Sequence, residues 1–193
     1  PTGGEGRWVD GPGRSVFDAI RAALGDLPIS AEDLGELHAA LPVLRDELGL
    51  PGMKILQFAF DGDPHNDFLP HRYPENCIVY TGTHDNDTTI GWVRGSPDDI
   101  RSEDDIHMAK EAVLRVTGGK AETVQTELIK AAFSTAARLA IAPMQDELGL
   151  GSEARMNTPG IAGGNWRWRV LIDQLSTSIC DNVASMVTAS GRG

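Results

Sequence analysis

The sequence predicts an α/β fold with about four parallel strands and flanking helices. Three observations lead there. Apolar runs of strand length alternate with segments whose apolar residues recur at helical spacing, the pattern of a parallel sheet with helical crossovers. The run Met53–Phe60 is nearly unbroken and apolar, as suits a strand buried on both faces. Two further runs, Leu27–Ala31 and Cys77–Thr81, lead into carboxylates at their C-terminal ends, in Glu32-Asp33 and in His84-Asp85-Asn86-Asp87. Strand ends of that kind are where an α/β barrel keeps its chemistry.

Taken in order, Ser15–Leu24 carries Val16, Phe17, Ile20, Ala23 and Leu24 at helical spacing, and Gly25 stops it. Leu27–Ala31 is the first strand. Leu37, Ala40, Leu41, Leu44 and Leu48 then line one face of a helix that ends at Gly49. Met53–Phe60 is the second strand, residues 61–75 form a polar, proline-containing loop, and Cys77–Thr81 is the third strand. Ser102 opens a helix with Asp105 at the capping-box position. Ile106, Ala109, Val113 and Val116 form its inner face, and Gly118-Gly119 close it. A further helix runs from about Glu122 to Arg138, with Val124, Leu128, Ala131, Ala132 and Thr135 on one side. Leu139–Pro143 is the fourth strand, a Gly-rich loop continues through Asn165, and Trp168 to about Val187 is helical. Four such strands fit a small doubly wound sheet or half of an eight-stranded barrel. Periodicity alone does not decide.

The chain has 193 residues, 40% of them hydrophobic and 23% charged, ordinary for one globular domain with its own core. A formal charge of −11, from 28 acidic and 17 basic residues, argues against nucleic acid, whose binding rests on neutralised phosphates. No apolar run approaches the roughly 20 residues of a membrane span. The opening Pro1-Thr2-Gly3-Gly4-Glu5-Gly6 has neither the basic start nor the apolar stretch of a signal peptide. It also lacks Met, which reads as a start inside a longer protein. Cys77 and Cys180 lie far apart and form no CxxC pair, which fits reduced thiols in a cytoplasm.

Several residues carry chemistry under one reading and structure under another. Glu32 and Asp33 fit a helix N-terminus, where the dipole favours acids. They fit equally a proton donor to a glycosidic oxygen, with Glu32 as the acid. His84, Asp85, Asn86 and Asp87, flanked by Thr81, Thr83, Thr88 and Thr89, are too polar a run to be packing. A histidine donates to sugar hydroxyls and a carboxylate grips two vicinal ones, although a turn with Asx caps also uses such residues. Asp61-Gly62-Asp63-Pro64-His65-Asn66-Asp67 starts like a calcium loop, but Asn66 stands where glycine belongs and Arg72 where a bidentate Glu belongs. With no HExxH-type pair either, no metal is expected. Trp166 and Trp168 stack on sugars or pack in a core. Asn157 is a turn former or a ligand on the active face, and Gln145 and Asp146 are similarly placed. Phe58 and Phe60 alternate along the second strand as core, with Phe60 nearer to a sugar.

Ordered motifs then carry a resemblance. They are Gly6-Arg7-Trp8-Val9, Ala31-Glu32-Asp33-Leu34-Gly35, Leu50-Pro51-Gly52-Met53-Lys54-Ile55-Leu56-Gln57-Phe58 and Tyr80-Thr81-Gly82-Thr83-His84-Asp85-Asn86-Asp87-Thr88-Thr89. Gln145-Asp146, Gly149-Leu150-Gly151-Ser152-Glu153-Ala154-Arg155-Met156-Asn157 and Asn165-Trp166 follow. Over nearly its whole length the chain resembles 4-alpha-glucanotransferase, the amylomaltase or disproportionating enzyme of the alpha-amylase clan. That resemblance implies the C-terminal half of a (β/α)8 TIM barrel, strands five to eight, spanning residues 1–193. It implies retaining transfer of α-1,4-glucan segments to glucose or a maltooligosaccharide, in glycogen and maltodextrin metabolism, without a cofactor. Carried over by motif, Glu32 is the general acid/base and Asp85 the carboxylate that stabilises the transition state. His84 is its hydrogen-bonding neighbour, and Asp33, Phe58 and Asn157 line substrate subsites.

The departure from the family is the nucleophile, an Asp on strand four in an Arg-x-Asp segment that this sequence does not contain. A double displacement needs that nucleophile about 5 Å from the acid/base. The expected partner is therefore the missing N-terminal half, and the chain alone is expected to be inactive. The rival expectations are a carbohydrate-binding remnant without catalysis, a metal-dependent hydrolase built on His65, His71 and His84, and a purely structural fragment. The enzyme reading expects Glu32 and Asp85 to meet on one glucose ring.

Overall fold

A computed structural model describes residues 6–7, 9–96 and 99–192. Trp8 of the Gly6–Val9 motif, the opening pentapeptide and Gly193 lie outside the described residues. The chain divides into two compact units, residues 1–53 and 54–193.

Among its described residues the first unit holds two helices, α1 (Arg14–Leu24) and α2 (Ala40–Glu47). α1 ends as expected at Gly25, whose left-handed φ of 77° lets its N–H reach Arg21 O at 2.9 Å. The expected strand at Leu27–Ala31 is absent. Pro28 removes a ladder donor, and one main-chain bond, Ala31 N–H to Pro51 O at 2.9 Å, ties the segment's end. α2 starts later than the leucine spacing predicts because Pro42 is tolerated only in a first helical turn. Its expected apolar face is at most half-buried, and no residue of either helix is buried.

An α/β sheet has the order β1 (Gly52–Ile55), β2 (Cys77–Tyr80), β3 (Leu139–Ile141). β2 and β3 are parallel, with Val79 opposite Ala140. Among the described residues there are thus three strands rather than about four. The run from Met53 to Phe60 is also not all strand, since Leu56–Ala59 tightens into a 3-10 turn. A short apolar run cannot by itself distinguish a strand from a buried turn.

Among its described residues the second unit has five helices: α3 (Thr89–Arg94), α4 (Glu103–Thr117), α5 (Val124–Phe133), α6 (Met144–Glu147) and α7 (Thr177–Ala189). The Ser102 box is present. Its hydroxyl accepts from Asp105 N–H at 3.1 Å, and Asp105 returns a bond to Ser102 N–H at 3.3 Å. α4 buries Ala109 and Val113 as expected, but Val116 is exposed. Thr117 takes its place, its hydroxyl donating to Val113 O. α5 stops at Phe133 instead of Arg138, where the Ser134 and Thr135 hydroxyls capture Lys130 O and Ala132 O. Residues 168–176 are not helical apart from a 3-10 turn at Ile172–Gln174, and α7 follows. The core gathers Leu56, Phe60, Val79, Trp92, Val113, Leu128 and Phe133.

Among the described residues, no helix is long and apolar enough to cross a membrane.

Candidate active site

The site of the second unit is the segment 82–88, between the end of β2 and the start of α3. Gly82 permits a close approach, since a Cβ there would lie 2.8 Å from Gln57 Nε2. The Gln57 amide therefore reaches past it to donate to Asp87 O at 2.9 Å. Thr83 then donates through both N–H and hydroxyl to Asn86 Oδ1, at 2.9 and 2.8 Å. This tight polar turn puts His84 and Asp85 at its tip. Both side chains are about half exposed, and His84 Nε2 lies 3.3 Å from Asp85 Oδ1.

A second segment, 152–157, holds the tip from outside. Asn157 Nδ2 donates to Asp85 Oδ1 at 2.6 Å, and Asn157 N–H donates to His84 O at 3.0 Å. Arg155 Nη2 donates to Asp85 O at 2.8 Å and its Nε to Asn157 O at 2.9 Å, so one guanidinium ties the two segments together. Ser152 Oγ donates to Asp87 Oδ2 at 2.6 Å. Among the described residues no hydrogen bond engages Asp85 Oδ2, and the side chain is 48% exposed. Beside the tip lies a cleft of about 190 Å³, lined by His84, Asp87, Gln145, Arg155 and Met156 among others.

One aromatic, Trp166, flanks the tip. Trp166 is not core but half exposed, with its ring centroid 5.0 Å from that of His84. Its φ of 61° is the one positive value at a non-glycine among the described residues, a conformation that bulky residues adopt only when their surroundings impose it. Here the Trp166 N–H donates to Met156 O at 2.7 Å. Phe58 and Phe60 part company. Phe60 is buried against Trp92, so it cannot reach a sugar, while Phe58 is exposed and meets Phe68 edge to face.

In the first unit, Glu32 is exposed and lines an apolar cleft of about 180 Å³ with Phe17, Leu37, Leu41, Leu44 and Leu48. No helix begins at Glu32 or Asp33, so the helix-terminus reading falls. Asp33 is mostly buried, pairs with Arg45, and accepts Met53 N–H at 2.7 Å. Its carboxylate is thus already engaged within the unit.

The histidine-based alternative finds no site: among the described residues no group of three His, Cys, Asp or Glu converges to hold a metal ion. The calcium-like start spends its carboxylates on turns, Asp61 accepting from Asp63 N–H and Asn66 Nδ2, and Asp63 from His65 N–H.

Sequence reading gave no role to Arg155, Ser152 or Gln57, although all three lie inside the ordered motifs. Their partners are 30 to 70 positions away, beyond any local pattern.

The chain is 46% identical to a 4-alpha-glucanotransferase of Thermus thermophilus over its whole length, covering 38% of that protein. It is 47% identical to one from Synechocystis over 99% of its length, covering 37% of the relative. It therefore spans a little over a third of the length of these relatives. Among solved structures it resembles an amylomaltase from Streptococcus agalactiae, in complex with acarbose, with a TM-score of 0.82 and 32% identity over 98% of this chain and 37% of that one. Residues 1–174 match the 4-alpha-glucanotransferase family, and the chain belongs to it.

Proposed function

We propose that this chain supplies the acid/base and the transition-state carboxylate of a 4-alpha-glucanotransferase that moves α-1,4-glucan segments onto glucose or a maltooligosaccharide. The observation that carries the reading is Asp85. One of its oxygens is held by Asn157 and faced by His84 while the other makes no hydrogen bond among the described residues and the side chain stays half exposed, which leaves an acceptor for sugar hydroxyls. His84 and the half-exposed ring of Trp166 form the adjoining wall, suited to a sugar's hydroxyls and its apolar face.

Glu32 protonates the departing glucan and then deprotonates the acceptor's 4-hydroxyl. Asp33 acts beside it through its ion pair with Arg45, and Phe58 and Asn157 border the subsites. Retention requires a nucleophilic carboxylate about 5 Å from the acid/base. That group is supplied by the part of the relatives' length that this chain does not span, which also completes the (β/α)8 barrel of which these strands form the C-terminal share. Transfer prevails over hydrolysis when an acceptor sugar occupies the site and water is excluded. The sugar substrates and reduced cysteines fit a cytoplasmic enzyme.

The test is glucose release from maltotriose by the full-length enzyme. Glu32→Gln slows it by about a thousandfold or more, since the acid that protonates the leaving oxygen is gone. Retention of the full rate rejects the assignment of Glu32.

A further inference from the structure

The segment 82–88 is anchored at both ends by one buried residue that never reaches the surface. Asp146, on α6, is 2% exposed. Its Oδ2 accepts from the Thr81 hydroxyl at 2.6 Å and from the Thr89 hydroxyl at 2.8 Å, and its Oδ1 accepts Thr89 N–H at 2.7 Å. Thr81 immediately precedes the segment and Thr89 immediately follows it. Both are fully buried, so bulk water does not compete for these bonds. We propose that Asp146 is the positioning residue of the site, a carboxylate clamp that closes both ends of the 82–88 segment and thereby sets where His84 and Asp85 stand.

The geometry separates this role from ordinary packing. A buried carboxylate is costly unless its oxygens are satisfied, and an apolar side chain of the same size would fill this space without that cost. What only a carboxylate or carboxamide supplies is acceptors for two residues eight positions apart in sequence, on either side of the tip. The outer contacts from Arg155, Asn157 and Ser152 reach the tip itself, so they refine a loop whose ends Asp146 has already fixed. A displacement of about an ångström at such a tip is enough to cost roughly a hundredfold in rate.

The inference deepens the glucan-transfer reading and rests on it for its kinetic arm, but not for its structural one. In the full-length enzyme, Asp146→Ala is expected to lower kcat on maltotriose by about a hundredfold with KM within about threefold, measured well below its Tm. Amide hydrogen exchange over 82–88 is expected to quicken about tenfold while α5 is unchanged. Asp146→Asn keeps kcat within about tenfold, because its oxygen still accepts Thr89 N–H and its amide donates to the two hydroxyls, which reverse their roles. The proposal is overturned if Asp146→Ala keeps kcat within about threefold, or if exchange rises equally in α5 and in 82–88. It is also overturned if Asp146→Asn is as inactive as Asp146→Ala. Should Asp146→Ala fail to fold, Thr81→Val, which removes one hydroxyl without changing shape, decides by its exchange over 82–88: quickened there alone supports the clamp, unchanged overturns it. Asp85→Asn, run in parallel, separates the two readings. If it retains full transfer, or if the wild type transfers no glucan, the functional reading fails while the exchange arm still decides the clamp.

Discussion

Asn157 Nδ2 donates to Asp85 Oδ1 across 2.6 Å, joining residues 72 positions apart. The sequence leaves Asn157 open between a turn former and a sugar ligand. In the folded chain its amide is already given to the carboxylate, so its first task is to hold one oxygen of Asp85 still. Removing it frees Asp85 to rotate without removing Asp85 itself. In the full-length enzyme Asn157→Ala is therefore expected to lower kcat by about ten- to a hundredfold and to raise KM less. Steady-state glucose release from maltotriose measures both. A rise in KM with kcat intact would make Asn157 a plain substrate ligand instead.

Trp166 allows stability and function to be pulled apart. Its left-handed backbone costs roughly 1 kcal/mol that glycine does not incur, while its half-exposed ring contributes modestly to packing. Trp166→Gly is expected to leave Tm within about 2 °C of wild type, the relieved strain offsetting the lost contact. In the full-length enzyme, maltooligosaccharide affinity is expected to fall about tenfold under the proposal that the ring beside His84 faces the sugar. Differential scanning fluorimetry and calorimetric titration read the two effects, and a Tm drop with unaltered affinity would identify Trp166 as structural.

How much of this was legible in the sequence depends on how local the cause is. Cys77–Tyr80 and Leu139–Ile141 were readable because an apolar run bounded by polar residues is a short-range signal, and so was the Ser102–Asp105 box, complete within four residues. Pro28 and Pro42 carried visible warnings that the hydrophobic spacing overrode. α3 and α6, of six and four residues, are too short to show a helical period at all. The candidate residues His84, Asp85 and Glu32 could be singled out from their place after apolar runs. What fixes Asp85 could not, because Asn157, Arg155 and Asp146 meet the 82–88 segment only through the packing of distant loops.

Asp146 also makes a pH prediction. Burial, opposed by the bonds from Thr81 and Thr89 and reinforced by the charge of Asp87, leaves its carboxyl above the ordinary carboxylate range. Burial and the charge of Asp146 raise Glu147 as well. A carboxyl whose folded pKa exceeds its unfolded one binds more protons when folded, so stability is lost as pH rises from the unfolded value through the folded one. Asp146→Asn has no such proton to lose. Relative to wild type, its denaturation midpoint is therefore expected to improve as pH rises from about 4 towards neutrality. Urea midpoints at several pH values give the comparison, and a constant difference would mean that Asp146 titrates normally.

Gly52 and Asp33 supply a prediction whose sign depends on the background. Gly52 does not adopt a left-handed conformation, so alanine suits its backbone, yet a Cβ there would run into the Asp33 carboxylate. That carboxylate would have to leave Met53 N–H and shift against Arg45, stranding part-buried polar groups. Gly52→Ala is expected to cost about 1–3 kcal/mol in urea denaturation, the penalty of unmade hydrogen bonds to a charged group. In an Asp33→Ala background the collision is gone and only the restriction of the unfolded chain remains. There the same substitution is expected to be neutral or to stabilise by about 0.4–1 kcal/mol. The double-mutant cycle isolates the pair: equal costs in both backgrounds would show that some neighbour other than Asp33 requires the glycine. Because Asp33 is adjacent to Glu32, the same variant also reports whether the Arg45 pair holds the proposed acid/base in place. Gly52→Ala is then expected to lower kcat in the full-length enzyme even at temperatures where it is fully folded.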